Sequence, residues 1–242
     1  MSLRNRLATP ESKRACNSEL FTLIAPEYDR ITPLLSFFGD RRWKRILVQS
    51  LPLFGKPVIV DFACGTGDLT GLLAARFADG HVTGADITLP MLRLAKGRLC
   101  DRAGKPGFSQ SDMCFSPFKT ESADIVTGGY ALRNAPDLAV FLRELHRILR
   151  PGGIAGFLDF SRSANSLVGQ LQLSLLGLWG GLFGLLLHRR PEVYGYIAES
   201  LRLFPDRKSL EELIRSCGFE EVTTRTFYCG TMAIVTFVKP EK

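Results

Sequence analysis

The chain is poor in the side chains from which metal centres and disulfide frameworks are made. Its six cysteines, at 16, 64, 100, 114, 217 and 229, include no C-x-x-C pair, which speaks against a zinc site or a stapled scaffold and for reduced thiols. Three histidines, His81, His146 and His188, stand far apart and match neither an H-E-x-x-H helix nor a nucleophile triad, so no metal is expected. No internal repeat or low-complexity tract is present, which excludes a solenoid or a linker-like chain. The opening MSLRNRLATPESKRA is basic but carries Glu11 and no apolar run. It is expected to be an ordinary N-terminus in a reducing, cytoplasmic setting, a cleaved organellar presequence being the lesser alternative. Acids are in the minority, 24 against 31 bases, and the resulting charge of +7 favours an anionic contact without naming it.

What the chain does have is apolar bulk. With 45% hydrophobic and 23% charged residues among 242, and a mean hydropathy of +0.08, it can bury a core near the upper size for one domain. PVIVDF from residue 57 reads as a buried strand, ACGTGD as a glycine turn and LTGLLAARFADG as a helix. HVTGAD and LPMLRLAKGRL repeat the unit, with Pro90 suited to a first helical turn. Further strands are expected over residues 108–110, 123–127 and 154–160, with a helix over 137–149 stopped by Pro151-Gly152-Gly153. DRKSLEELIRSCGF then reads as a helix, and VTTRTFY and AIVTFVK as strands. Such alternation predicts an α/β fold, a mainly parallel sheet with helices on both faces and an antiparallel C-terminal hairpin.

One stretch is unlike the rest: residues 167–187 contain no charge. Its length admits a membrane span. Leu167, Leu171, Leu175, Leu178, Leu182 and Leu186 recur at helical spacing, however, and Gly177, Gly181 and Gly184 form a smooth face suited to close helix packing. A buried helix, a lid or a surface helix lying on a bilayer are the other readings, the last favoured by the flanking Arg162, Arg189 and Arg190.

Gly65 and Gly67 fall where a strand meets a helix, so the backbone there can approach a ligand closely. Either a dinucleotide or S-adenosylmethionine suits such a turn. Asp61 at the strand mouth favours the second, because a carboxylate repels phosphates and attracts a sulfonium and an amino group. Asp68 adds to that bias. Asp86, ending the next strand, can accept hydrogen bonds from both ribose hydroxyls.

VDFACGTGDLT resembles the first motif of class I S-adenosylmethionine-dependent methyltransferases. IAPEYDRITPLLSFFGDRRWKR, YALRNAPDL, RILRPGGIAGFLDFS and YGYIAESLRLFPD are similar, in order, to segments of the ubiquinone/menaquinone biosynthesis C-methyltransferase family. The resemblance implies a Rossmann-like seven-stranded methyltransferase fold over one domain, 1–242, with an N-terminal helical cap over about 12–52 and an apolar helical insertion over about 164–203. It implies S-adenosylmethionine as cofactor, with Thr66 and its flanking glycines at the donor, Asp86 on the ribose, and Asp112 and Met113 beside the adenine. Ile87, Met91 and Gly129 are assigned to the same cleft.

Tyr28, Arg133 and Asn134 are placed at the aromatic acceptor. Arg133, permanently protonated, would stabilise phenolate charge and orient a water that takes the proton. The implied activity is C-methylation of a quinol ring, the alternatives being another phenolic or specialised metabolite and a non-catalytic membrane-attached scaffold. The partners implied are a lipophilic aromatic substrate, a peripheral membrane contact and a homodimer. Nucleic acid is not expected, since Asn134-Ala135-Pro136-Asp137 lacks the aromatic with which base methylases grip a flipped base. Two departures stand out: Gly129-Tyr130-Ala131 replaces a small residue followed by Phe-Gly, and Gly230 to Val235 lacks the family's histidine.

Overall fold

Seven segments form strands: β1 (Val58–Phe62), β2 (His81–Asp86), β3 (Gly107–Gln110), β4 (Ala123–Gly129), β5 (Leu149–Phe160), β6 (Glu220–Phe227) and β7 (Met232–Val238). In the computed structural model, which describes residues 3–36, 38–101, 104–163, 165–188 and 192–241, they make one sheet in the order β3-β2-β1-β4-β5-β7-β6. The first five are mutually parallel, and β7 runs antiparallel to both β5 and β6. The strand order reverses between β1 and β4, and a crevice opens at their carboxyl ends.

Helices cover both faces: α1 (Leu3–Arg6), α2 (Pro10–Ile24), α3 (Tyr28–Leu35), α4 (Asp40–Ser50), α5 (Asp68–Arg76), α6 (Leu89–Leu99), α7 (Leu138–Ile148), α8 (Ser166–His188), α9 (Glu192–Leu203) and α10 (Arg207–Ser216). Local chemistry sets their starts. Thr9 and Ser12 form a reciprocal capping box with Pro10 behind it at the head of α2. Asp137 and Asp206 accept the Val140 and Ser209 amides at the heads of α7 and α10. In the core Phe62, Phe141, Phe157 and Phe237 make a chain of ring contacts, with centroids 5.4–5.9 Å apart. Each fully buried ring is worth about 1.5–3 kcal/mol over exposure.

Two expectations need correction. β5 does not begin after Gly153 but at Leu149, directly behind α7. The Pro151-Gly152-Gly153 segment is an irregularity inside the strand, held because the Gly152 amide donates to the Lys239 carbonyl and the Lys239 amide to that of Gly153. In α8 the leucine row expected as the apolar face points outward, with Leu167 76%, Leu178 74% and Leu186 67% exposed. The helix instead turns Gly180, Gly184, Leu173 and Leu176 inward. A Cβ at Gly177 would sit 3.6 Å from the Ala198 Cβ of α9, which is how the small residues let the two helices approach. Residues 167–186 are long and apolar enough to cross a membrane by length and composition, yet only 33% of that window is buried. Arg189 and Arg190 lie outside the described residues.

Candidate active site

Two cavities meet at the carboxyl end of the sheet. The first, about 690 Å³, is lined by the ends of β1 and β2 and by one face of α2. Asp86 forms its acidic end. Its Oδ2 accepts the Gly65 amide at 2.9 Å and its Oδ1 the Thr88 amide at 2.8 Å, so one carboxylate ties the glycine turn to the head of α6. Each oxygen keeps a further lone pair for a ligand. Burial raises the Asp86 pKa against those backbone bonds.

Gly65, Ile87, Met91, Asp112, Met113 and Gly129 all line this cleft. Asp112, expected to face an adenine amino group, pairs through Oδ2 with Arg14 Nε at 2.6 Å. Its Oδ1 accepts the Cys114 amide at 2.9 Å. Arg14, Asn17 and Phe21 of α2 also reach the cleft. They stand three and four residues apart, the spacing of one helix face, which was the sequence signal for them.

Three expected donor residues, Asp61, Thr66 and Gly67, are not among those that line this cleft. Asp61 is fully buried beneath the turn. The β1–β4 register sets it opposite Thr127, whose hydroxyl donates to Oδ1 at 2.9 Å, while Thr70 donates to Oδ2 at 2.6 Å. Burial outweighs both bonds and pushes its pKa up to about 6. It borders a small adjoining cavity with Thr66, Lys44 and Asp68, which shares Gly65, Tyr28 and Gly129 with the first cleft. The Thr66 hydroxyl turns away to Asp29 Oδ1 at 2.6 Å. Gly67 faces the opposite side: a Cβ there would come within 2.9 Å of Leu99 and 3.1 Å of Ala95. Its place is a helix-packing one, with φ at +85° heading α5.

The second cavity, about 610 Å³, is walled by Leu20, Phe21, Ile24, Ile31, Val193 and Ile197 from α2, α3 and α9. At its polar end sits Arg133, its side chain 4% exposed. The Arg133 backbone amide donates to Asp159 Oδ2 at 2.9 Å, and its Nε stands 3.4 Å from Oδ1. Nη1 donates to Ser200 Oγ. Phe160 and Tyr196 bracket the guanidinium at 5.3 and 5.6 Å from their ring centroids. Burial raises the Asp159 pKa, a shift the Arg133 charge opposes.

Tyr28, Phe21, Tyr130 and Asn134 line both cavities. Burial of the Tyr28 phenol, in spite of Lys44, pushes its pKa up to about 12, so it is a neutral donor and acceptor at physiological pH. Asn134 Nδ2 donates to the Tyr130 carbonyl at 2.7 Å. The Tyr196 hydroxyl reaches Asn134 Oδ1 at 2.7 Å and also Asn17 Oδ1, its one proton serving either. Tyr130, the departure noted in the sequence, adopts φ +60° and donates to Asp40 Oδ1 at 2.7 Å, standing as the partition between the chambers. Tyr196 and Ser200, one turn apart on α9, were not singled out from sequence.

A mainly parallel sheet that reverses beside β1, a glycine turn after β1 and an acid ending β2 define the Rossmann-like methyltransferase fold of class I. Solved structures agree on the fold. A possible histamine N-methyltransferase from Thermotoga maritima superposes with TM-score 0.65 at 20% identity, covering 92% of this chain and 99% of that one. Haemonchus contortus phospholethanolamine N-methyltransferase 2, in complex with phosphomonomethylethanolamine and S-adenosylhomocysteine, gives 0.64 at 14%, covering 83% and 53%. The model of the ubiE/COQ5 methyltransferase family matches residues 9–239. Ubiquinone/menaquinone biosynthesis C-methyltransferases from Azotobacter vinelandii and Pseudomonas putida KT2440 are each 34% identical, covering 96% of this chain and 94% and 92% of theirs. The chain belongs to the ubiE/COQ5 methyltransferase family and is a methyltransferase.

Proposed function

We propose that this enzyme moves the methyl group of S-adenosylmethionine to a ring carbon of a lipophilic quinol, the acceptor class for which its relatives are named. The observation that carries the reading is the shared wall. A polar cleft with Asp86 and Asp112 adjoins an apolar chamber ending on a buried guanidinium, and Phe21, Tyr28, Tyr130 and Asn134 border both. Two carboxylates against one guanidinium, Arg14, suit a cationic donor better than a diphosphate. The residues that would hold the donor are Gly65, Asp86, Ile87, Met91, Asp112, Met113 and Gly129. Bound there, S-adenosylmethionine supplies an electrophilic methyl on a sulfonium sulfur that leaves neutral.

The remaining work falls to the chain. The ring becomes a carbon nucleophile as its hydroxyl loses a proton to water, and Arg133 stabilises the oxygen charge that results. Tyr28 and Asn134 orient the ring, and the aliphatic wall excludes competing water. After the carbon–methyl bond forms, the ring carbon gives its proton to water, the ring oxygen takes one back, and aromaticity returns. Asp159 and Ser200 hold the guanidinium for this task.

Within this reading residues 12–52 act as a cap and 164–203 as an insertion on one methyltransferase domain. The outward leucines of α8 meet a bilayer surface, from which a tailed quinol is collected. Glutamates at Leu178 and Leu182 are expected to abolish vesicle sedimentation while changing stability by no more than about 0.5 kcal/mol, because both side chains are already exposed.

Calorimetry with S-adenosylmethionine tests the donor, and mass spectrometry of reduced demethylmenaquinone and of a short-tailed benzoquinol tests the acceptor. A product one methyl heavier is expected. No heat of binding overturns the donor assignment. Binding without methylation of either ring overturns the acceptor and directs the search to other phenols.

A further inference from the structure

A third cavity, about 780 Å³, opens on the far side of the glycine turn, between α4, α5 and α6. Gly67 lines it, whereas Gly65 lines the donor cleft, so the two sites are distinct. Arg41, Lys44, Arg45 and Arg98 face it, and Asp68 is the one carboxylate among the described residues that line it. That carboxylate is already engaged, with Arg98 Nη2 at 2.7 Å and Lys44 Nζ at 3.5 Å. Lys44 is also paired to Asp40 at 2.8 Å and is buried. Burial lowers its pKa, but Asp40, Tyr28 and Asp68 together raise it above the ordinary value, so its charge is permanent.

Arg41 and Arg45 are different. Both are exposed, they stand one turn apart on α4, and among the described residues neither has a hydrogen bond or ion pair. Like charges at this spacing destabilise a helix, and nothing on α4 offsets them. Gly67 at the head of α5 and Gly71 and Ala75 within it line the same cleft. Arg98 beside them is taken up by Asp29, Asp68 and the Thr66 carbonyl, so the two unpartnered guanidinium forks of Arg41 and Arg45 are the donor set that matches phosphate oxygens.

We propose that this cleft is an anion site for a phosphate group, with Arg41 and Arg45 as its ligands, while Lys44 and Arg98 at its side are held by Asp40, Asp68 and Asp29. The chemistry is shared by a free phosphate compound and a phospholipid headgroup. Phe38, 74% exposed on the loop before α4, makes the second source worth testing directly. The proposal does not depend on the identity of the methyl acceptor.

The test uses the full chain in two arms: calorimetry with inorganic pyrophosphate, and sedimentation with phosphatidylcholine vesicles with and without phosphatidylglycerol. Arg41→Ala with Arg45→Ala is compared with Lys208→Ala with Arg215→Ala, which removes as much charge from α10. Pyrophosphate binding that weakens about tenfold or more in the first pair alone supports the site and a soluble ligand. Silence with pyrophosphate, but phosphatidylglycerol-dependent sedimentation lost in the first pair alone, supports the site and assigns the headgroup. Wild-type behaviour of the Arg41/Arg45 pair, equal losses in both pairs, or no binding in either arm overturns it. Should the alanine pair fail to fold by circular dichroism, Arg41→Gln with Arg45→Gln is read by the same criteria.

Discussion

The donor cleft and the acceptor chamber share a wall and differ in how they are built. The cleft is made where strands end: Gly65, Asp86, Asp112 and Gly129 each sit at or beside the carboxyl end of a strand, and backbone amides anchor the carboxylates. The chamber is made where the N-terminal helices α2 and α3 meet α9 from the other end of the chain, and its polar end is held by side chains of α9 on a residue that follows β4. A site made of backbone is fixed by sheet register. One made of side chains is only as good as the packing that brings them together.

The largest effect that would sharpen this contrast belongs to the chamber. Arg133→Lys keeps a cation beside Asp159 but not the fork that spans Asp159 and Ser200. A fall of about 10²–10³ in kcat is expected, with the donor dissociation constant unchanged in calorimetry. Asp86→Ala strikes the cleft instead. Losing hydrogen bonds to a charged acceptor is expected to weaken donor binding by about 10²-fold and to leave the affinity for the quinol unaltered. Equal loss of both affinities in either variant would break the separation of the two sites.

Asp61 tests the register itself. Its carboxyl is raised from the ordinary 3.8 to about 6 in the folded protein, so the native state holds a proton that the unfolded chain has released. Its contribution is present below about pH 4 and is lost as pH rises to about 6. The loss is on the order of 2–3 kcal/mol. Urea titrations across that window should show a shallower slope for Asp61→Asn than for the unaltered chain. The smallest effect is Tyr196→Phe, which keeps the ring on Arg133 and removes the hydroxyl from Asn134 and Asn17. A roughly tenfold lower kcat with an unchanged KM for the donor is expected. A lowered melting temperature with unchanged kcat would reduce Tyr196 to packing.

The same contrast explains what could be read before the fold was known. The strand positions and the turn after β1 are local properties, written in β-branched runs and glycines, and Asp86 at a strand end could be placed from them. The fate of Asp61 could not. Whether it faces a ligand or Thr70 and Thr127 depends on pairing between strands sixty-odd residues apart, which no window of sequence contains. The surroundings of Gly67 were hidden for a like reason, since its neighbours Ala95 and Leu99 come from α6, the next helix along the chain. The outward turn of the α8 leucines escaped because periodicity identifies a face without saying which way it points. The glycine row was a partial guide: Gly184 is buried and Gly177 faces Ala198, but a Cβ at Gly181 would meet open space.

The position of β7 has a consequence for how the protein is made. It is the last strand in the chain, yet it lies between β5 and β6, with Phe237 fully buried. A nascent chain emerging from the ribosome therefore cannot close its sheet until residue 238 has cleared the exit tunnel. Until then β5 presents an open edge, and β6 has no neighbour to pair with. Truncation or stalling a few residues short would leave a nearly complete enzyme with an adhesive flank.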